Sequence, residues 1–156
     1  MSVQVQNTPR QGKSPSARAL FGAAGAGEGG RRRRGVRGHA LIIEDDPLMA
    51  DVLTRHLEVL GYGPVSIATT TKEALAAVEI DAPALVLADI SLADGESGLE
   101  IAQAIHRRRH VPLVFVSARP ELASDEPRAT VLAKSKLSLS ALQAVIERAR
   151  KVWYLD

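Results

Sequence analysis

The sequence predicts an α/β fold, a doubly wound five-stranded parallel sheet with helices on both faces. Two observations predict it. Short apolar runs of strand length recur five times between residues 40 and 133, and segments with helical spacing or helix caps separate most of them. Continuous apolar runs are typical of strands covered on both faces. Strands that alternate with helices form parallel pairs through right-handed crossovers.

The first strand and helix have clear boundaries. The apolar run at residues 40–43 predicts the strand. Asp46 followed by Pro47 is a typical N-cap with proline at the first helical position, and Gly61 is a typical helix end. We therefore predict a helix over residues 47–60. The residues expected to face the core from this helix are Leu48, Val52 and Leu60.

The remaining elements continue the alternation. Thr70 or Thr71 is suited to cap the second helix, and Ser138 or Ser140 the last one. Residues 119–128 contain two prolines and little helical period, so we expect a short or irregular segment there. The other strands are predicted at residues 65–68, 84–88, 111–116 and 129–133. The second helix runs from Thr70 or Thr71 to about residue 80, the third from residue 98 to about 109, and the last begins after Ser138 or Ser140.

Composition excludes several classes of protein. The chain is 46% apolar but only 3% aromatic, so its core must be aliphatic. It has no cysteine, which excludes a disulfide scaffold and cysteine-based zinc chemistry. No apolar stretch approaches the ~18 residues that a membrane span needs, and no secretory signal is visible. We expect a cytoplasmic protein without a membrane partner.

Charge divides the chain into a basic tail and an acidic domain. Residues 1–39 have eight basic residues and one acidic residue, a net charge of +7, whereas the rest has a net charge of −5. We predict a disordered tail over residues 1–38, rich in Gly, Ala and Arg, and a folded domain over residues 39–156. A solvated tail, or one translated from an upstream start, is favoured over nucleic-acid binding. The segment considered for nucleic acid is Arg31, Arg32, Arg33 and Arg34.

Acidic side chains follow two of the predicted strands. Glu44, Asp45 and Asp46 come directly after the first strand, and Asp89 comes directly after the third. Side chains at the carboxyl ends of neighbouring parallel strands converge on one crevice. Carboxylates gathered there repel one another unless a cation lies among them, and oxygen ligands suit Mg²⁺. Helix capping is the alternative for such acids, and we prefer it for Asp46.

Two further polar residues follow the last two predicted strands. Ser117 directly follows the fourth, and Lys134 directly follows the fifth. Lys136 competes with Lys134, because residues two apart in an extended strand point to the same side. We prefer Lys134 because no residue separates it from the apolar run.

The order and spacing of these residues resemble the receiver domain of response regulators, the phospho-acceptor module of two-component signalling, over residues 39–155. The stretches ADISLADG (88–95) and PLVFVSA (112–118) are most similar to receivers of alphaproteobacterial general-stress regulators. The resemblance implies a flavodoxin-like sheet of strand order 2-1-3-4-5. Those regulators have a sigma-factor-like domain before the receiver, and because none is visible here we expect a stand-alone receiver.

The resemblance also implies the chemistry of the site. Asp89 would be the nucleophile that accepts a phosphoryl group. Mg²⁺ would be held by Asp89, by Asp45, by Glu44 directly or through water, and by the backbone carbonyl of Ser91. The phosphate would be contacted by Lys134 and by the hydroxyl of Ser117.

The expected function is signalling rather than enzymatic turnover beyond the domain's own phosphorylation and dephosphorylation. The implied partners are a histidine kinase or phosphotransfer protein and a downstream regulatory protein. Receivers usually have proline after the lysine and many have an aromatic residue three positions before it, whereas this chain has Ser135 and Val131. These departures favour the alternative, a binding module that acts without phosphorylation. An Asp-x-Asp phosphatase is disfavoured because Ser91 stands where the second acid is needed.

Overall fold

The computed structural model describes residues 36–92, 97–124 and 129–154. The predicted disorder of residues 1–38 falls almost entirely outside this part of the chain. The strands are β1 (Gly38–Ile43), β2 (Tyr62–Ala68), β3 (Leu85–Ala88), β4 (Leu113–Ser117) and β5 (Thr130–Ala133). The helices are α1 (Pro47–Val59), α2 (Thr71–Ile80), α3 (Gly98–Arg108) and α4 (Leu139–Tyr154). Two short 3₁₀ turns lie at Pro120–Ala123 and Lys134–Lys136.

The sheet has the predicted order, β2-β1-β3-β4-β5, and every strand pair is parallel. The fold class is therefore confirmed. The irregular segment predicted between β4 and β5 contains the 3₁₀ turn at Pro120–Ala123, while residues 125–128 of that segment lie outside the described part. β2 begins three residues earlier than predicted and includes Pro64. An edge strand accommodates proline because it presents one side without a partner strand.

Two aliphatic cores cover the two faces of the sheet. On one face, Leu41, Val86 and Phe115 pack with buried residues of α2 and α3. On the other face, Ile42, Leu87 and further strand residues pack with buried residues of α1 and α4. The central strands are therefore buried on both sides, which explains why their sequences are continuously apolar. No helix of the described residues is long and apolar enough to cross a membrane.

The ends of α1 agree with the sequence, and Leu60 packs against the core as predicted, but the rest of the predicted buried face is wrong. Asp46 caps the helix, since its Oδ1 accepts a hydrogen bond from the Leu48 N–H at 3.0 Å. Leu48 and Val52, which were predicted to face the core, are instead 78% and 39% exposed. The buried residues of α1 are Ala50, Leu53 and Leu57. The helix therefore has two apolar stripes, and the one with small Ala50 and the two leucines packs on the sheet.

A buried histidine near the start of β1 should make the stability depend on pH. The His39 side chain is 8% exposed and its Nε2 lies 2.8 Å from the Ser66 Oγ. Burial lowers the pKa of His39 below its ordinary value of 6.5, and Asp81, 3.4 Å from Nδ1, only partly opposes this. Below pH ~6.5 the unfolded chain therefore binds the proton more readily, so protonation favours unfolding as the pH falls.

We expect His39→Gln to remove this contribution. The wild type should have the larger free energy of unfolding at pH 7.5, and its advantage over the variant should shrink as the pH falls to 5. Urea unfolding followed by circular dichroism measures both free energies. Carboxylates that do not contact His39 are the same in both proteins, so their contributions cancel in the difference. A difference that is constant with pH would contradict the assignment.

Candidate functional site

Backbone pairing between β1 and β3 fixes the positions of two acidic residues. Ile43 lies opposite Ala88 in the parallel register, so Glu44 and Asp89 leave the sheet side by side. The Asp89 N–H donates to the Ile43 carbonyl at 2.9 Å, and the Glu44 N–H donates to the Ala68 carbonyl at 3.0 Å. Both acidic residues are therefore anchored by the ends of the sheet rather than by a free loop.

The structure brings Glu44, Asp45 and Asp89 together. One carboxylate oxygen from each lies within 4.8 Å of the others. Glu44 is 2% exposed and Asp89 is 7% exposed, which means that two of the three carboxylates are largely removed from water. Three carboxylates so close together repel one another, and an all-oxygen set suits a hard divalent cation such as Mg²⁺. The donor set therefore fits the metal that the sequence predicts. The Asp46 side chain instead caps the start of α1.

Ser91 contacts the Asp89 carboxylate through its backbone. The Ser91 N–H donates to Asp89 Oδ1 at 3.2 Å. This bond constrains the orientation of the carboxylate and keeps the Ser91 peptide beside it.

Lys134 contacts both buried carboxylates, whereas Lys136 is exposed. The Nζ of Lys134 lies 2.8 Å from Glu44 Oε2 and 2.9 Å from Asp89 Oδ2. The expectation that the two lysines point the same way in an extended strand is wrong, because β5 ends at Ala133 and the chain forms a 3₁₀ turn at Lys134–Lys136. The turn separates the two side chains, and it directs the first of them into the acidic cluster.

Burial and charge set the protonation of this group. Burial raises the pKa of Glu44 and Asp89 adds to the rise, while Lys134 and the Asp46 N–H oppose it. For Lys134, burial alone would lower the pKa, but the hydrogen bonds and charges of Glu44 and Asp89 outweigh burial and raise it. Lys134 is therefore a firmly protonated cation, and it offsets part of the carboxylate repulsion.

Ser117 is the last residue of β4 and is almost completely buried. It lies opposite Ala133 in the sheet, next to the residue that precedes Lys134. Its Oγ accepts a hydrogen bond from the Arg119 N–H at 3.0 Å. The hydroxyl is thus held at the carboxyl end of the sheet while its own proton stays available for another acceptor.

Gly98 is a residue near the site that the sequence interpretation used only as a helix start. Its N–H donates to the Ile90 carbonyl at 2.7 Å, next to the backbone of Asp89. The signal in the sequence was small: a glycine at the first position of a helix that Ser97 caps through the Leu99 N–H.

Comparisons with known proteins agree with this geometry. The family model for the response regulator receiver domain matches residues 40–134. The Phyllosphere-induced regulator PhyR of Methylorubrum extorquens strain AM1 is 39% identical over 112 residues, which cover 70% of this chain and 42% of that protein.

Two solved structures are also similar. The NMR structure of the PhyR receiver domain from Erythrobacter litoralis gives a TM-score of 0.64 at 37% identity and covers 71% of this chain and 88% of that one. A crystal structure of a mutant of the anti-anti-sigma factor PhyR from Bartonella quintana gives 0.66 at 31% identity, covering 78% of this chain and 50% of that one.

The chain spans less than half the length of the curated relative from M. extorquens. The predicted likeness to receivers of general-stress regulators is confirmed, because these relatives are PhyR proteins and a further similar structure is described as the PhyR stress response regulator. The family match covers more than half of the sequence, from Ala40 in β1 to the residue after β5. The chain therefore belongs to the response regulator receiver domain family.

Proposed function

We propose that this receiver takes part in a two-component phosphorelay and accepts a phosphoryl group on Asp89 in the presence of Mg²⁺. The donor is a phosphohistidine of a histidine kinase or a phosphotransfer protein. The observation that carries the proposal is the grouping of three carboxylates within 4.8 Å, with a lysine Nζ 2.9 Å from Asp89. An ion pair between Lys134 and Asp89 that only stabilised the fold would not need two further acidic side chains beside the buried aspartate.

In the proposed reaction, an oxygen of the Asp89 carboxylate forms a bond to phosphorus while the bond from phosphorus to the imidazole nitrogen breaks. The imidazole retains the electron pair and takes up a proton. Glu44, Asp45, Asp89 and the Ser91 carbonyl would hold Mg²⁺, which supplies positive charge next to the transferred group. Phosphoryl transfer depends mostly on positioning and electrostatic stabilisation, and the buried cluster supplies both.

Lys134 and Ser117 have the proposed role of holding the phosphoryl oxygens. Lys134 already lies between Glu44 and Asp89, so one phosphoryl oxygen on Asp89 is within reach of its ammonium group. The Ser117 hydroxyl accepts from the Arg119 N–H and still has a proton to donate. Both residues leave strand ends that the sheet fixes, so the site is assembled before the donor arrives.

The downstream partner is proposed to be a regulatory protein in the cytoplasm whose binding depends on phosphorylation. One relative is named an anti-anti-sigma factor, which supports a protein partner rather than a small molecule or nucleic acid.

A second function has its own support, namely a binding module that acts without phosphorylation. Val131, in the position where many receivers have an aromatic residue, is only partly buried against the core and lacks a ring. Ser135 lies in the turn after the lysine, in the place of the usual proline. The features by which many receivers report phosphorylation are therefore changed, while the acidic cluster is complete.

The proposal is tested by intact mass spectrometry of the wild type after incubation with acetyl phosphate. We expect one added phosphate with Mg²⁺ and none when the metal is removed by a chelator. Addition of Mg²⁺ to the chelated sample should restore the modification. A protein that stays unmodified at every Mg²⁺ concentration would favour the phosphorylation-independent module.

A further inference from the structure

The first turn of α3 lies directly against the backbone of the proposed phospho-acceptor. Gly98, the first residue of this helix, is buried. A Cβ at position 98 would overlap the carbonyl oxygen of Asp89 and would stand 2.8 Å from its carbonyl carbon and 2.9 Å from the Cα of Ile90. All of these are backbone atoms, so no side-chain rotation makes room. Any other residue must push the start of α3 away from Asp89, or push Asp89 out of its place.

The need for glycine at position 98 differs from the need at Gly38 and Gly61. Gly38 and Gly61 have φ angles of +93° and +92°, a conformation that residues with side chains rarely adopt. Gly98 has no positive φ. Glycine also destabilises a helix relative to alanine, so helix propensity does not explain it. The explanation for glycine at position 98 is therefore the lack of space next to Asp89.

This contact belongs to a closed arrangement around the acceptor. Ser91 forms an antiparallel bridge with Ser97, the residue before Gly98. The Gly98 N–H donates to the Ile90 carbonyl at 2.7 Å, and the Ser91 N–H donates to Asp89 Oδ1 at 3.2 Å. A displacement of the helix start therefore moves Ser91, and with it the hydrogen bond that orients the acceptor carboxylate.

We propose that Gly98 is a positioning residue for the phosphorylation site. Its lack of a side chain lets α3 begin against Asp89 and Ile90, and this contact fixes the Asp89 carboxylate and the Ser91 peptide relative to Glu44 and Asp45. The inference rests on the proposed function, because the geometry it protects is that of the phospho-acceptor.

The test compares the wild-type chain with Gly98→Ala and with the control Gly38→Ala. The control also adds one methyl group at a glycine and strains the fold, but at the opposite end of β1. A misplacement of about 1 Å can cost up to ~100-fold in rate. We expect Gly98→Ala to weaken Mg²⁺ binding and to slow phosphorylation by acetyl phosphate, each by roughly tenfold or more. Gly38→Ala should stay within about twofold of the wild type in both, although its urea midpoint falls.

Two results would overturn the inference. If Gly98→Ala binds Mg²⁺ and accepts phosphate within about twofold of the wild type, the contact does not position the site. If Gly38→Ala loses as much Mg²⁺ binding and phosphorylation as Gly98→Ala, the loss follows stability alone.

The NMR signal of the Ser91 backbone amide tests this inference independently of the proposed function, because it reports the geometry of the site without metal or phosphate. In ¹⁵N NMR spectra, its signal should move in Gly98→Ala and keep its wild-type position in Gly38→Ala. If the wild type takes up no phosphate, the proposed function fails, and the Ser91 signal still decides the role of Gly98. An unmoved Ser91 signal in Gly98→Ala contradicts that role.

Hydrogen exchange in the wild type covers the case in which Gly98→Ala does not fold. If the Gly98 contact and metal binding depend on each other, Mg²⁺ at ten times its Kd should slow exchange of the Gly98 amide about elevenfold. The Gly61 amide, which donates to the Glu58 carbonyl at the far end of α1, is the control and should not change. Equal slowing at both amides, or none at Gly98, contradicts the inference.

Discussion

Asp89→Asn is expected to abolish the incorporation of phosphate from acetyl phosphate and Mg²⁺. The substitution keeps the size and shape of the side chain but replaces the nucleophilic carboxylate by an amide, which is a far weaker nucleophile. Asp89 is 7% exposed and is anchored through its N–H to the Ile43 carbonyl, so the variant should keep the fold. Intact mass spectrometry measures the loss, and circular dichroism with urea unfolding checks the fold.

Asp46→Asn is the matched control for this variant. Asp46 belongs to the same acidic run, but its side chain caps α1 by accepting from the Leu48 N–H. Asparagine is as good an N-cap as aspartate, so stability should change little and phosphorylation should stay near the wild-type level. If Asp89→Asn is modified as fully as the wild type, the acceptor lies elsewhere in the chain.

Lys134→Ala is expected to slow phosphorylation by roughly 10- to 100-fold. The ammonium group makes charge-assisted contacts of 2.8 Å to Glu44 and 2.9 Å to Asp89, and a hydrogen bond to a charged group contributes about 1.5–3 kcal/mol. Each ~1.4 kcal/mol corresponds to a factor of ten. The variant also leaves the buried Glu44 without its cation, so the free energy of unfolding of the variant should be about 1–3 kcal/mol lower than that of the wild type. Rates come from time-resolved mass spectrometry.

Lys136→Ala provides the control two residues further along the same turn. Its side chain is exposed, so both the rate and the stability should remain close to those of the wild type. The reverse ranking of the two lysines would mean that Lys136 contacts the phosphate. Negligible effects from both would favour a binding module that works without phosphorylation.

Much of the fold could be predicted because adjacent residues carry the signals. Asp46 before Pro47 places the start of α1, and the continuous apolar runs of β1 and β3 indicate strands buried on both faces. The buried face of α1 could not be chosen in this way. Leu48 and Val52 have the same helical spacing as the residues that are buried, so only the shape of the sheet surface decides which stripe packs.

Part of the candidate site was also within reach of the sequence. The acidic residues Glu44, Asp45 and Asp89 follow apolar runs, and parallel strands bring their carboxyl ends to one edge, where the structure places one oxygen of each within 4.8 Å of the others. Gly98 was missed, because the collision that excludes a side chain involves backbone nine residues earlier. No local sequence pattern indicates that position 98 lies so close to the backbone of Asp89.

The sequence by itself determined the alternation of strands and helices, the aliphatic core and the set of strand-end polar residues, because these depend on hydrophobic period and on adjacency along the chain. Only the tertiary structure decided which lysine meets the carboxylates and which face of α1 is buried. It also decided that position 98 has no room for a side chain. The physical reason is the same in each case: these choices depend on contacts between segments distant in the chain. A 3₁₀ turn after Ala133 directs Lys134 to Glu44 and Asp89 and leaves Lys136 in solvent.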